Sequence, residues 1–176
     1  MDELMVPLEA VRDFLDIGGD VLTLITVVIF FMWVLIVERL IYFRTGLKKL
    51  AQESYEIWRA RPERKSWNAK QIREAMISRF SMAANVGVPV IQTLVALCPL
   101  LGLMGTVTGM IEVFDVMAIS GSGNARSMAS GVSKATIPTM AGMVGALSGV
   151  FLITLITRAI ETRIENFQDM LTSNHH

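Results

Sequence analysis

The stretch FSMAANVGVPVIQTLVALCPLLGLMGTVTGMI, residues 80–111, decides the fold class because it contains no charged residue. A helix needs about 20 predominantly apolar residues to cross the hydrocarbon core of a membrane. Two further windows, residues 21–37 and 135–157, are also free of charge. We therefore predict an all-α integral membrane protein with three transmembrane helices, in preference to a soluble domain with three buried helices.

The composition excludes several other classes of protein. Hydrophobic residues make up 52% of the 176 residues and charged residues 18%, whereas soluble domains carry about 25% charge. The 16 basic and 16 acidic residues cancel, so the chain lacks the excess of Lys and Arg that binds nucleic acid. A single cysteine excludes a disulfide framework and a cysteine-cluster metal site.

The charges are distributed unevenly along the chain, and this predicts its orientation. Residues 44–79 hold ten basic and four acidic residues, whereas residues 1–20 hold six acidic residues and one basic residue. Cytoplasmic loops carry the excess of Lys and Arg, so the N-terminus is predicted outside and the C-terminus in the cytoplasm. The predicted segments are an outer amphipathic helix (1–19), a first span (20–43), a cytoplasmic helical hairpin (44–85), a second span (86–113), an outer link with the start of a helix (114–130), a third span (131–157) and a cytoplasmic C-terminal helix (158–176).

The segments outside the spans are also predicted to be helical. Gly18–Gly19 is expected to end the N-terminal helix. The first span is expected to continue into the cytoplasm as one helix. A turn follows around residues 61–68; Asn68 can cap the next helix, and that helix can run directly into the second span. The basic residues around this turn are interpreted as a solvated surface near anionic lipid.

The three spans differ in composition. The first span has bulky apolar residues and no Gly or Ala between Val21 and Phe43, a surface that suits lipid. The other two spans contain small residues that allow helices to approach closely in lipid, and the predicted packing positions are Gly102, Gly105, Gly109, Gly142 and Gly145. Threonines accompany these glycines, among them Thr93, Thr106, Thr136 and Thr139. They could serve packing alone, or line a narrow cavity that holds another helix or a few waters.

The spans lack the groups that proton transfer or catalysis would require. They contain no His, and no Asp or Glu at mid-depth, although a proton path normally uses a titratable group near the midplane. If the protein carries protons, the carboxylate must therefore come from another chain. No Ser/His pair or metal-binding constellation lies within the spans, so we predict a protein that is not an enzyme and has no metal or cofactor.

Three motifs resemble those of a known family of proton-driven motors, the ExbB, TolQ and MotA proteins. WVLIVERL (residues 33–40) looks like the family's ending of the first span. LLGLMGTVTG (100–109) is similar to its LLGLxGTVxG motif, and GVSKATIPTMAG (131–142) resembles its third-span motif. The resemblance covers residues 20 to about 165, and the N-terminal helix with the short outer link is most similar to ExbB.

The resemblance implies an architecture and a set of partners. It implies a ring-like homopentamer in the bacterial inner membrane, with the N-terminus in the periplasm. The second and third helices would line a central pore around ExbD-like single-span helices. Thr106 and Thr139 would face a membrane-embedded aspartate of that partner, with Thr93, Thr136 and Lys134 also along the proton pathway and Glu112 and Asp115 at the outer mouth. The motor would energise a TonB-like transducer for import of iron chelates or vitamins across the outer membrane.

Lys134 departs from the family pattern. The family usually has a glutamate five residues before the motif threonine, and here that position is a lysine. Lys134 could pair with an acid on ExbD, on TonB or at Glu112 of a neighbouring subunit. It could instead be neutral when desolvated, or extend outward to the interface. The departure puts proton transfer by this subunit in doubt, but not the pore architecture.

Three other functions remain open. The chain could be a TolQ-like motor subunit, a flagellar-stator-like subunit whose basic run at residues 59–65 engages a rotor, or a non-conducting membrane scaffold. In the scaffold, the Gly and Thr stripes would serve packing only.

Overall fold

A computed structural model describes residues 5–121 and 125–172. Four helices account for nearly all of these residues: α1 (Met5–Arg59), α2 (Trp67–Asn85), α3 (Val88–Ser120) and α4 (Ala125–Thr172). Three helices in the described part of the chain are long and apolar enough to cross a membrane. The predicted all-α membrane protein is thereby confirmed. The chain ends and part of the predicted outer link lie outside the described residues.

Helix α1 contains one break. Gly19 has φ 68° and ψ −164°, a conformation that L side chains rarely adopt and that glycine tolerates. The break falls at the Gly18–Gly19 pair where the sequence predicts it. From Asp20 the helix continues through the first span to Arg59 without a further non-helical residue, as expected for a span that extends beyond the membrane.

Two details of the predicted hairpin are wrong. The cap of α2 is Ser66, whose Oγ accepts a hydrogen bond from the Ala69 N–H at 3.2 Å, and Asn68 lies within the helix. Ser66 is the cap because α2 begins at Trp67 and the cap residue immediately precedes the first helical residue. From that position its side chain can accept from an N–H two or three residues ahead. The helix also does not run directly into the second span: α2 ends at Asn85, and Gly87 has φ 79° before α3 begins.

The described residues form two compact units. The first unit combines the N-terminal part up to Trp33 with Thr93–Val150, and so contains parts of α1, α3 and α4. Leu22, Ile25 and Met32 of α1 have no exposed area, whereas Phe30 and Phe31 are more than half exposed. The bulky first span therefore buries one stripe within the protein, and only its other faces are free to meet lipid.

The second unit combines Val34–Gln92 with the C-terminal part from Phe151. Its core joins α1, α2 and α4. Phe80 and Phe167 stack with ring centroids 4.3 Å apart, and both are almost completely buried. Arg73 adds a polar link, since its Nη2 donates to the Gln168 carbonyl oxygen at 3.2 Å. These contacts tie the C-terminal end of α4 to the hairpin.

Candidate functional site

Glycines bring the backbones of α3 and α4 into direct contact in the first unit. A Cβ on Gly142 would lie 2.5 Å from the Cys98 carbonyl oxygen, and one on Gly102 would lie 3.0 Å from the Thr139 Cα. A Cβ on Gly109 would lie 2.9 Å from the Ala135 Cα. Each position faces backbone of the opposite helix, which cannot rotate away. Larger residues would therefore force the two helices apart.

The other two predicted packing glycines bring α1 to the same seam. A Cβ on Gly105 would lie 3.0 Å from the Pro138 Cγ and 3.0 Å from the Val21 Cγ1. A Cβ on Gly145 would meet the Ile29 side chain, with its Cγ1 at 2.7 Å. Both glycines are buried. The seam therefore packs three helices around a core of small residues.

Thr106 and Thr139 meet across this seam. Their hydroxyls are hydrogen-bonded to each other, and the Thr139 hydroxyl also donates to the Gly102 carbonyl oxygen at 2.9 Å. The Thr106 hydroxyl also lies 3.5 Å from the Gly102 carbonyl oxygen, so either threonine can donate to the other while its partner donates to that carbonyl. In both arrangements the Thr106 oxygen keeps a lone pair that can accept a further hydrogen bond. Both side chains are half-buried, so the pair lies at the edge of the packed seam.

The remaining predicted threonines lie outside this pair. Thr136 is exposed, and its hydroxyl donates to the Ser133 carbonyl oxygen of its own helix at 2.7 Å. Thr93 is also exposed on α3. The structure thus brings together two of the four threonines singled out in the sequence.

Lys134 lies on the wall of a cleft in the first unit with a volume of about 540 Å³. Glu112 lines the same cleft from α3, whereas Asp115 does not line it. Lys134 is exposed and forms no ion pair with any of the described residues. The cleft is therefore lined by the ammonium group of Lys134 and by three carboxylates, those of Asp16, Asp20 and Glu112. No oxygen of these carboxylates lies within 4 Å of the Lys134 nitrogen.

Asp16 and Asp20 line this cleft although no motif in the sequence predicts it. Both lie beside the kink at Gly19, and Gly19 itself lines the cleft. The acidic N-terminus was visible in the sequence, but its helix was expected to lie on the outer surface. In the structure both carboxylates line the cleft together with residues of α3 and α4.

A metal-binding arrangement is absent from the residues that the structure describes. No group of three or more His, Cys, Asp or Glu side chains there is placed to hold an ion. Cys98 is buried against Gly142, and its thiol donates to the Leu94 carbonyl oxygen at 3.3 Å. The chemistry available at the seam is therefore that of hydroxyls and carbonyls.

Comparison with known proteins gives a match to the MotA/TolQ/ExbB proton channel family over residues 41–169. The biopolymer transport protein ExbB-like 1 of Synechocystis is 37% identical over 84 residues, which are 46% of this chain and 33% of that protein. ExbB-like 3 of the same organism is 30% identical over 46% of this chain and 36% of its own length. The Tol-Pal system protein TolQ of Haemophilus influenzae is 35% identical over 51% and 40%. The aligned part thus spans less than half the length of each relative.

Proposed function

Since the chain belongs to the MotA/TolQ/ExbB proton channel family, we propose that it is the ExbB-like wall subunit of a motor driven by the proton-motive force. It lies in the bacterial inner membrane with its N-terminus in the periplasm and its C-terminus in the cytoplasm. Five copies surround single-span helices of an ExbD-like partner. The assembly energises a TonB-like transducer for outer-membrane import of iron chelates or vitamins.

The hydrogen-bonded pair of Thr106 and Thr139 carries this proposal. The two hydroxyls and the Gly102 carbonyl oxygen form one hydrogen-bonded cluster, and the Thr106 oxygen keeps a lone pair that can accept from a further group. A protonated carboxyl on a partner helix can donate to that oxygen. If both hydroxyls reverse, the pair can instead donate to the ionised carboxylate. Two hydroxyls at this position therefore suit a carboxyl group that alternates between its two protonation states.

The distribution of charge supports the need for a partner. The spans of this chain contain no carboxylate at mid-depth, and a charged group there is costly unless it is paired or functional. The Thr pair offers polar contact but no titratable group. A partner helix with one aspartate beside the half-buried Thr pair would complete the path.

A TolQ-like motor is the second candidate. The Haemophilus influenzae TolQ is 35% identical over 94 residues, a similarity close to that of the ExbB-like proteins. Both assignments predict the same Thr pair and the same kind of single-span partner. They differ in the transducer, so uptake of iron chelates distinguishes them.

The decisive variants replace the two hydroxyls by methyl groups. Thr106→Val with Thr139→Val is near-isosteric and deletes the hydrogen-bonded pair. The protein should still assemble with its single-span partner, whereas proton flux into proteoliposomes that contain the complex should be lost. Thr157→Val is the matched control, because the Thr157 hydroxyl is half-buried and donates only to the Ile153 carbonyl oxygen of its own helix at 2.8 Å.

The alternative of a non-conducting scaffold predicts a different result. If the pair serves packing only, the double Val variant will keep its proton flux and its uptake as long as it assembles. Equal flux in the double variant, the Thr157→Val control and the unaltered protein would therefore refute the motor assignment of these threonines.

A further inference from the structure

A narrow groove in the second unit combines an aromatic floor with two cations. It has a volume of about 60 Å³ and lies between α1, α2 and α4. Its floor contains the rings of Phe43, Phe80 and Phe167. Lys48 and Arg163 line the groove, and no carboxylate does. The groove is therefore apolar within and positive at its edge.

The two cations are available to a ligand. Both side chains are exposed, and neither forms an ion pair with a described residue. The Arg163 guanidinium lies over the Phe43 ring, 5.4 Å from its centroid, and this contact holds it beside the groove without neutralising it. By contrast, the neighbouring Lys49 forms an ion pair, with its Nζ 3.9 Å from the Glu53 Oε1.

Both cations start at the outer edge of the headgroup layer, and their long side chains can reach back into it. Lys48 follows Phe43, the end of the first apolar run, by five residues, and Arg163 follows Thr157, the end of the third charge-free window, by six. At about 1.5 Å per helical residue, the two side chains start roughly 7–9 Å beyond the apolar segments. The headgroup layer of one leaflet is about 5–8 Å thick.

We propose that this groove binds an anionic phospholipid, with its phosphodiester between Lys48 and Arg163 and the start of one acyl chain against Phe43. The inference rests on the membrane placement given under the proposed function. The occupant is a lipid because the groove joins the apolar end of a span to two unpaired cations. A free anion would use the cations but would gain nothing from the aromatic floor. A second copy of this chain carries carboxylates in the same region, and it is the occupant that the subunit number in the test below distinguishes.

The proposal is tested by native mass spectrometry of the full chain in a neutral detergent. Phosphatidylglycerol and phosphatidylcholine with identical acyl chains are added separately, and the affinities are compared. The unaltered protein should prefer phosphatidylglycerol. Lys48→Gln or Arg163→Gln should each reduce this preference about 5-fold, since a basic residue at the surface of an anionic membrane contributes that much. The double variant should lose most of the preference.

The matched control is Arg44→Gln with Lys49→Gln, which removes two exposed cations from the same part of α1 that do not line the groove. This control should keep the preference within about 2-fold, because neither side chain lines the groove and an exposed charge without direct contact contributes little. An equal loss in both double variants would overturn the site, since only net charge would then matter.

Two further results would also overturn it. Inorganic phosphate that competes as well as phosphatidylglycerol would show a site for free anions. A change in subunit number in the Lys48→Gln, Arg163→Gln variant, with lipid binding unaltered, would show a contact between copies. Proton flux is measured separately, so failure of this site leaves the Thr106–Thr139 assignment standing, and failure of that assignment leaves the lipid result unaffected.

Discussion

Gly142 provides the sharpest test of how α3 and α4 pack. A Cβ at this position would lie 2.5 Å from the Cys98 carbonyl oxygen, whereas ordinary Cβ contacts begin at 3.4 Å. Gly142→Ala therefore requires the two backbones to separate by roughly 0.9 Å at this point. Overpacking of this kind costs about 1–3 kcal/mol. Alanine offsets part of the cost, since it is favoured over glycine within a helix by about 1 kcal/mol.

Gly145→Ala is the matched comparison on the same helix. It has the same gain in helix propensity, but its new Cβ would meet side-chain atoms of Ile29, with Cγ1 at 2.7 Å, and a side chain can shift more cheaply than the backbone of a packed helix. The difference between the two variants thus isolates the contact with backbone. We expect Gly142→Ala to have a free energy of unfolding about 1–3 kcal/mol below that of Gly145→Ala.

The measurement is unfolding of the purified protein in mixed micelles by increasing SDS, followed by helical circular dichroism. The subunit number of each variant is checked first, so that unlike assemblies are not compared. If the two variants unfold at the same SDS fraction, the close backbone approach of α3 and α4 does not exist as described.

Three further predictions follow from single residues. Lys134→Ala should reduce energised transport more than assembly with the partner, because Lys134 lines the charged cleft and forms no ion pair within the described residues; unaltered uptake of iron chelate would exclude a role for it. Phe167→Ala should lower the free energy of unfolding by about 3–5 kcal/mol, because its ring is buried and stacked on Phe80; the exposed Phe151→Ala is the control in the same assay. Ser66→Ala should destabilise α2 by about 1 kcal/mol, and Asn68→Ala should have less effect; the reverse order in thermal unfolding would show that the cap is Asn68 after all.

The helices could be predicted from the sequence because their signals are local. A charge-free window of 20 residues has few alternatives to a spanning helix, and a Gly–Gly pair between an amphipathic segment and an apolar run is a typical helix end. The exact cap was missed because Ser66 and Asn68 are both good cap residues. Which of the two residues acts as the cap depends on the residue at which α2 begins, and the sequence pattern does not fix that residue. The break at Gly87 was missed because a single glycine inside an apolar run has no unique meaning.

The candidate site was harder to predict because it depends on contacts between helices. Thr106 and Thr139 could be singled out from the motifs. Whether their hydroxyls meet depends on the orientation of α3 relative to α4 about the helix axes, which the sequence does not give. The buried stripe of the first span was hidden, since Leu22 and Leu24 look alike in sequence and only Leu22 is buried. Asp16 and Asp20 could not be assigned to the cleft without the direction of the chain at Gly19.

A structure of the chain with its single-span partner in lipid tests the central claim most directly. The proposal predicts that Thr106 and Thr139 of every copy face one continuous axial cavity, with a partner carboxyl within hydrogen-bond distance of the pair. If both threonines face lipid, or lie in a closed seam with no cavity beside them, the chain is not the wall of a proton channel in the way proposed.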